Sequence, residues 1–174
     1  MKNLILIRHA KSSWDAPLID KDRPLSKRGI KDAHLVANNV NGFLPKTFLV
    51  WSSTAQRAKN TAYIFAENLS IPIDNIIFTD DLYTFEVKKL EKIIKSCDNK
   101  YDNLILFGHN EAITNFVNTF GDTAVDNVPT SGFVSISFEE DEWGSIRSGK
   151  TEKMVFPSEL KKYDPPSHTG KPVY

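Results

Sequence analysis

Four short apolar runs recur along this chain, at residues 4–7, 48–51, 76–78 and 104–107, each followed by a polar junction and then by apolar residues at helical spacing. Runs this short, bounded by polar junctions, read as strands buried on both faces, as in a parallel sheet. Parallel neighbours need a crossover, and the intervening helical patterns supply one. The alternation therefore predicts an α/β domain with helices packed on a mostly parallel sheet. From residue 131 the pattern changes. Phe133-Val134-Ser135-Ile136-Ser137-Phe138 alternates as a strand near a sheet edge does, and residues 153–156 are placed as its antiparallel partner beyond a turn at Trp143-Gly144. The expected architecture is a three-layer α/β/α sandwich with an antiparallel edge. It forms a single domain over residues 1–174, ending in an irregular tail at 157–174 that holds four prolines and an inert His168.

The helices carry their own punctuation. Ser26 is placed to cap the first, whose buried stripe is expected at Ile30, Ala33, Ala37 and Val40, with Gly42 ending it. His34 beside that stripe reads as surface or edge packing. Ser53 and Gln56 have capping-box spacing, so a second helix starts between them and buries Ala58, Ala62, Phe65 and Leu69. A third runs from about Val87 to Ser96. Asn110 is placed to cap a fourth, with Ile113, Phe116, Val117 and Phe120 facing inward.

Composition narrows the function classes. Lysine plus arginine and aspartate plus glutamate each total 22, so nothing favours nucleic acid or an anionic membrane as partner. Cys97 is alone, which leaves no disulfide framework and no cysteine metal cluster. The apolar run before Arg8 is too short for a signal peptide, and no stretch approaches a membrane span. A cytoplasmic protein is expected.

The chemistry sits at the strand ends. In open α/β sheets ligands bind beyond the carboxyl ends of the strands. There the first run delivers Arg8-His9, the second leads to Arg57 in the first turn of a helix, and the fourth ends in Gly108-His109-Asn110. Singly, each has a plain reading: a hydrogen-bonded structural histidine, or an arginine paired with a nearby carboxylate. Together, two arginines and two histidines on one rim suit a tetrahedral dianion. A neutral imidazole can attack phosphorus while the cations hold the equatorial oxygens. The junction at residues 10–25 exceeds the usual βα loop of about 2–6 residues. It offers Lys11, Ser12, Ser13, Asp15, Asp20, Asp22 and Arg23, which for the most part read as a solvated loop. The set has no HxH or HExxH pattern and no acidic cluster beside the histidines, so no metal or other cofactor is expected.

These residues resemble a known family. Arg8-His9-Ala10 looks like the signature of the histidine phosphatase superfamily, with its phosphoglycerate-mutase-like fold. The longer pattern is similar to the SixA-type phosphohistidine phosphatase branch: Arg8-His9-Ala10-Lys11-Ser12, then Asp22-Arg23-Pro24-Leu25-Ser26 and Gly29, Ser52-Ser53, Arg57-Ala58, Thr61-Ala62, and Gly108-His109-Asn110. The resemblance runs from residue 4 to about 120. It implies His9 as a nucleophile that becomes phosphohistidine and Arg8, Arg57 and His109 as a phosphate-holding set, with Arg23, Lys11 and Ser12 as further candidate contacts. The wider superfamily carries an acid in an L-x-E pattern after the third strand. Here the string is Leu82-Tyr83-Thr84, which leaves Asp81, Glu86 or no residue at all as proton donor. A missing acid suits a leaving imidazole, which can depart already protonated because its pKa is about 6.5. The implied activity is therefore a phosphatase acting on phosphohistidine-containing protein. A phosphatase for a small phosphorylated substrate and a non-catalytic phosphate-binding module are the alternatives.

Overall fold

The computed structural model describes residues 1–162. Six strands form one sheet: β1 (Lys2–Arg8), β2 (Leu49–Ser53), β3 (Ile76–Thr79), β4 (Asn103–Gly108), β5 (Phe133–Phe138) and β6 (Lys150–Val155). Their order is β3-β2-β4-β1-β5-β6. The first four are mutually parallel, and β5 and β6 add the antiparallel edge. Five helices accompany them: α1 (Lys27–Val40), α2 (Gln56–Leu69), α3 (Val87–Lys95), α4 (Ala112–Phe120) and α5 (Pro157–Lys162). This is the expected α/β architecture.

The apolar runs are buried on both faces because successive side chains of a strand point to opposite sides. Leu4, Leu6, Leu104 and Leu106 pack with Leu90 and Ile94 of α3 and Ile113, Phe116 and Val117 of α4. Ile5, Ile7, Ile105 and Phe107 face the other way, onto Ala33, Val36 and Ala37 of α1 and Ala62 and Phe65 of α2. The result is three layers with two cores. Ser26 caps α1 as expected, its hydroxyl accepting from the Gly29 N–H at 3.0 Å.

Several expectations need correction. Ser53 and Gln56 form no capping box, since Ala55 stands at the N-cap of α2, and Glu111, not Asn110, stands at the N-cap of α4; neither N-cap makes a side-chain capping bond. Ile30 is not on the buried stripe of α1 but 43% exposed. The stripe passes through Ala33, Val36, Ala37 and Val40, and the turn before it buries Gly29 against the backbone of Lys11. The tail expected to be irregular from Pro157 begins as helix α5. Proline suits a first helical position, where its missing N–H has no intrahelical partner to lose. Leu160 then packs against the α1–α2 side of the core, and Lys161 bonds Asp32 at 2.7 Å. Six residues are too few to display a period. His168 lies outside the described residues.

The sheet order decides where the site forms. β2, β4 and β1 are adjacent and parallel, so their carboxyl ends share one rim. Arg8 pairs with Gly108, and the His9 N–H donates to the Gly108 carbonyl at 3.0 Å, which extends the ladder to the histidine.

Candidate active site

The rim brings together the residues singled out in the sequence. A cleft of about 330 Å³ is lined by Arg8, His9, Lys11, Ser12, Arg23 and Arg57, with Trp14, Phe85, Asn110 and Thr130 completing its walls. His109 stands beside His9, their ring centres 5.1 Å apart. A cavity of about 460 Å³ elsewhere, between Asn41 and Asn75, has no histidine, arginine or carboxylate in its lining.

His9 is held in one orientation. Its Nδ1 lies 2.7 Å from the carbonyl oxygen of Ala10, an acceptor only, so Nδ1 carries the proton. Nε2 then keeps a lone pair, to which Arg57 Nε donates at 3.3 Å. Burial pushes the imidazole down to about 3; the Ala10 bond opposes this, and the charges of Arg57, Arg8 and Arg23 add to it. At neutral pH His9 is therefore uncharged, with the lone pair a nucleophile needs. The loop after it is anchored by Thr61, which accepts from the Ala10 N–H at 2.8 Å and donates to the Arg57 carbonyl at 2.7 Å.

His109 is set by Ser53. The two side chains meet at 2.8 Å through Nε2 and Oγ, and Ser53 Oγ also accepts the Ala55 N–H at 3.1 Å. With the Ser53 hydroxyl as donor to Nε2, the ring proton stands on Nδ1. Nδ1 is buried and has no protein partner. Burial first, then the charges of His9 and Arg57, push this imidazole down to about 2. Arg8 Nε is likewise buried and unpartnered, while its NH1 donates to the Val128 carbonyl at 2.9 Å. Buried donors without acceptors are costly, at roughly 1–3 kcal/mol each, and an oxyanion is the ligand that satisfies both.

Arg57 answers to both of its sequence readings. It is buried on the rim beside His9, and it is also paired with a carboxylate. That carboxylate is Asp20, on a short 3-10 turn (Asp20–Asp22) in the long junction after β1. Arg57 NH1 donates to the Asp20 carbonyl at 2.7 Å and NH2 to its Oδ2 at 2.9 Å. The Tyr83 hydroxyl donates to the same Oδ2 at 2.6 Å, and Arg23 NH1 to Oδ1 at 3.1 Å. Burial acts to raise the Asp20 carboxyl, but these bonds and the two guanidinium charges hold it below the usual carboxylate range. The Tyr83 hydroxyl is pushed up, by burial and then by Asp20.

Arg23 organises the loop. Beyond Asp20 it donates to the Ser13 carbonyl at 3.3 Å and to the Ser12 hydroxyl, and its guanidinium lies 3.2 Å from the Trp14 ring centre. Trp14 is 77% exposed and Phe85 is 48% exposed. Phe85 is propped from behind by edge contacts with His109 and Tyr83. Lys11 reaches the cleft from an exposed position.

The candidate acids are not in the cleft. Asp81 is exposed on a 3-10 turn (Asp80–Leu82), and Glu86 is exposed and paired with Lys89 at 3.1 Å. Thr84, where the superfamily pattern places its acid, is buried, and its hydroxyl accepts the Glu86 N–H at 3.3 Å. Sequence reasoning missed the parts played by Ser53, Asp20 and Tyr83. Ser53 was visible as a helix-start signal and as part of the family-like pattern, and Asp20 as a loop acid, without a partner for either. Among the described residues no three His, Cys, Asp or Glu side chains are grouped to hold a metal, and no helix is long and apolar enough to cross a membrane.

Comparison with known proteins adds to this geometry. Residues 4–82 match the model of the histidine phosphatase superfamily (branch 1). The chain is similar to an uncharacterized chloroplastic protein of Arabidopsis thaliana, 51% identical over 63 residues, covering 34% of this chain and 28% of that protein. A protein of Mycobacterium tuberculosis is 44% identical over 55 residues, 32% of this chain and 35% of its own. The chain thus spans about a third of the length of these curated relatives. Among solved structures its fold is similar to a putative phosphohistidine phosphatase SixA from Nakamurella multipartitia (TM-score 0.76, 20% identity, 90% of this chain and 96% of that one). It is also similar to the protein histidine phosphatase SixA complexed with tungstate (TM-score 0.76, 21% identity, 91% and 99%). A mycobacterial glucosyl-3-phosphoglycerate phosphatase shares the fold at TM-score 0.65 and 13% identity, over 88% and 98% of the two chains.

Proposed function

We propose that this protein is a phosphatase that passes a phosphoryl group through His9 Nε2, and that its substrate is a phosphohistidine-containing protein. The observation that carries the reading is His9 itself. Its Nδ1 proton is committed to the Ala10 carbonyl and its Nε2 lone pair faces Arg57, in a cleft whose lining offers cations and no carboxylate.

In the first step Nε2 attacks phosphorus in line. The new N–P bond forms as the bond to the leaving nitrogen breaks, and the electron pair departs with the leaving imidazole. In the second step water attacks phosphorus, Nε2 takes back its electron pair, and inorganic phosphate leaves. Arg8, Arg57 and His109 stabilise the equatorial oxygens in both transition states. Arg23, Lys11 and Ser12 shape the cleft around them. An alkoxide leaving group needs a proton donor, and Asp81, Thr84 and Glu86 do not supply one. Asp20 is close but ionised, so it is no acid near neutral pH. A phosphohistidine imidazole can leave protonated without help. The cleft is open, with Trp14 and Phe85 exposed at its mouth, which suits a phosphorylated side chain presented on a protein surface. Solved neighbours described as SixA phosphohistidine phosphatases support the same substrate class.

The test is single-turnover labelling with a phosphohistidine protein and a small phosphoester side by side. Transient label on His9, lost in His9→Ala and discharged to phosphate, is expected with the phosphohistidine protein. Efficient phosphoester turnover abolished by Asp81→Asn or Glu86→Gln would transfer the reading to a small-molecule phosphatase. Stoichiometric phosphate binding without covalent label would leave only a binding module.

A further inference from the structure

We propose that Asp20 is a positioning residue: it grips both terminal nitrogens of Arg57 and so keeps the Nε–H of that guanidinium on His9 Nε2. This rests on the reading of His9 as the nucleophile.

A guanidinium is a flat fork with five N–H donors and two distinct edges. The Asp20 carbonyl takes NH1 at 2.7 Å and its carboxylate takes NH2 at 2.9 Å, so both terminal nitrogens are tied to one residue and each keeps a second N–H. The Nε–H points at Nε2, 3.3 Å away. Asp20 is in turn held at both carboxylate oxygens, by Tyr83 at 2.6 Å and by Arg23 at 3.1 Å. The carboxylate is therefore the hub of a network joining the junction after β1, the first turn of α2 and the segment after β3. It also supplies the negative charge that a cation in the first turn of a helix lacks. Without it Arg57 loses half of its grip and can swing its fork toward solvent or lay it flat on a bound anion. In the ligand-free site this Nε–H rests on the Nε2 lone pair, and it must pass to a phosphoryl oxygen as Nε2 attacks; either movement takes the donor away from the oxygens beside the attacking nitrogen. Loss of a donor aimed where charge develops in the transition state costs rate far more than it costs binding.

Asp20→Ala and Asp20→Asn separate this from a general structural role, because asparagine keeps a side-chain acceptor for Arg57 NH2 while alanine leaves only the main-chain carbonyl that takes NH1. Asp20→Ala is expected to slow phosphoenzyme formation by about tenfold or more. It should bind tungstate as tightly as the native chain or tighter, because the two arginines lose a competing anion. Asp20→Asn should stay within about threefold of the native rate, as one neutral hydrogen bond replaces a charged one. The Arg57 Nε–H resonance of the ligand-free protein, slow to exchange in the native chain and in Asp20→Asn, should become fast in Asp20→Ala. A native rate in Asp20→Ala, or equal loss of rate and tungstate binding in both variants, overturns the proposal. If the native chain forms no phosphoenzyme, the function proposed above fails, and the tungstate and Nε–H measurements still decide whether Asp20 positions Arg57.

Discussion

Replacing Ser53 with alanine isolates one proton. The hydroxyl is fully buried at the end of β2, accepts the Ala55 N–H and, as donor, faces His109 Nε2. Ser53→Ala removes both bonds and leaves His109 free to carry its proton on either nitrogen. Leaving buried polar atoms unpaired costs about 1–3 kcal/mol, which for a domain of this size lowers Tm by roughly 2–4 °C per kcal/mol. The larger effect falls on the anion. A donor to a charged acceptor is worth about 1.5–3 kcal/mol, so when Nδ1 no longer reliably presents its proton, tungstate or phosphate should bind about 10–100-fold more weakly. Calorimetric titration with tungstate measures the loss. Nitrogen NMR of the His109 ring reports the tautomer directly, with Nδ1 protonated in the native chain and a mixture in Ser53→Ala. Unchanged tungstate affinity in a folded Ser53→Ala protein would refute the tautomer argument, and so would a native ring protonated on Nε2.

Three further outcomes follow from the same geometry. His9 and His109 are held at about 3 and about 2, below the ordinary value of about 6.5 that they regain on unfolding. Below pH 6.5 the unfolded chain takes up protons that the native chain does not, so stability should fall on acidification by up to about 2 kcal/mol per histidine between pH 7 and 5. Urea titrations of the native chain, His9→Gln and His109→Gln at both pH values check this, the variants showing the shallower dependence. Gly29→Ala gains about 1 kcal/mol of helix propensity, but its Cβ would strike the Lys11 carbonyl. The clash wins: a net loss of about 1–3 kcal/mol is expected by denaturation, with weaker tungstate binding because Lys11 begins the site loop. Arg23→Ala should weaken vanadate binding about tenfold or more, since its charge faces the cleft and its bonds hold Ser12, Ser13 and Asp20; unchanged affinity would remove Arg23 from the site.

The sequence by itself determined the layers and the rim. Strand and helix runs have local periods, and parallel strands joined by helical crossovers must end on the same side, so Arg8-His9, Arg57 and His109 had to lie on one rim once the runs were recognised. Their residue types were legible for the same reason, and so was the lack of a carboxylate at Thr84. What the tertiary structure alone decided is how those side chains are aimed. Asp20 reaches Arg57 across 37 positions, Tyr83 reaches Asp20 across 63, and Ser53 meets His109 across 56. None of these pairs shares a period, a strand or a helix, so no local pattern records them. They exist because the order β3-β2-β4-β1 sets Ser53 beside His109 and because the long junction after β1 folds back over α2. The short helix α5 is of the same kind: six residues earn their conformation from Leu160 and Lys161 docking on the core and on Asp32, not from any repeat in the chain.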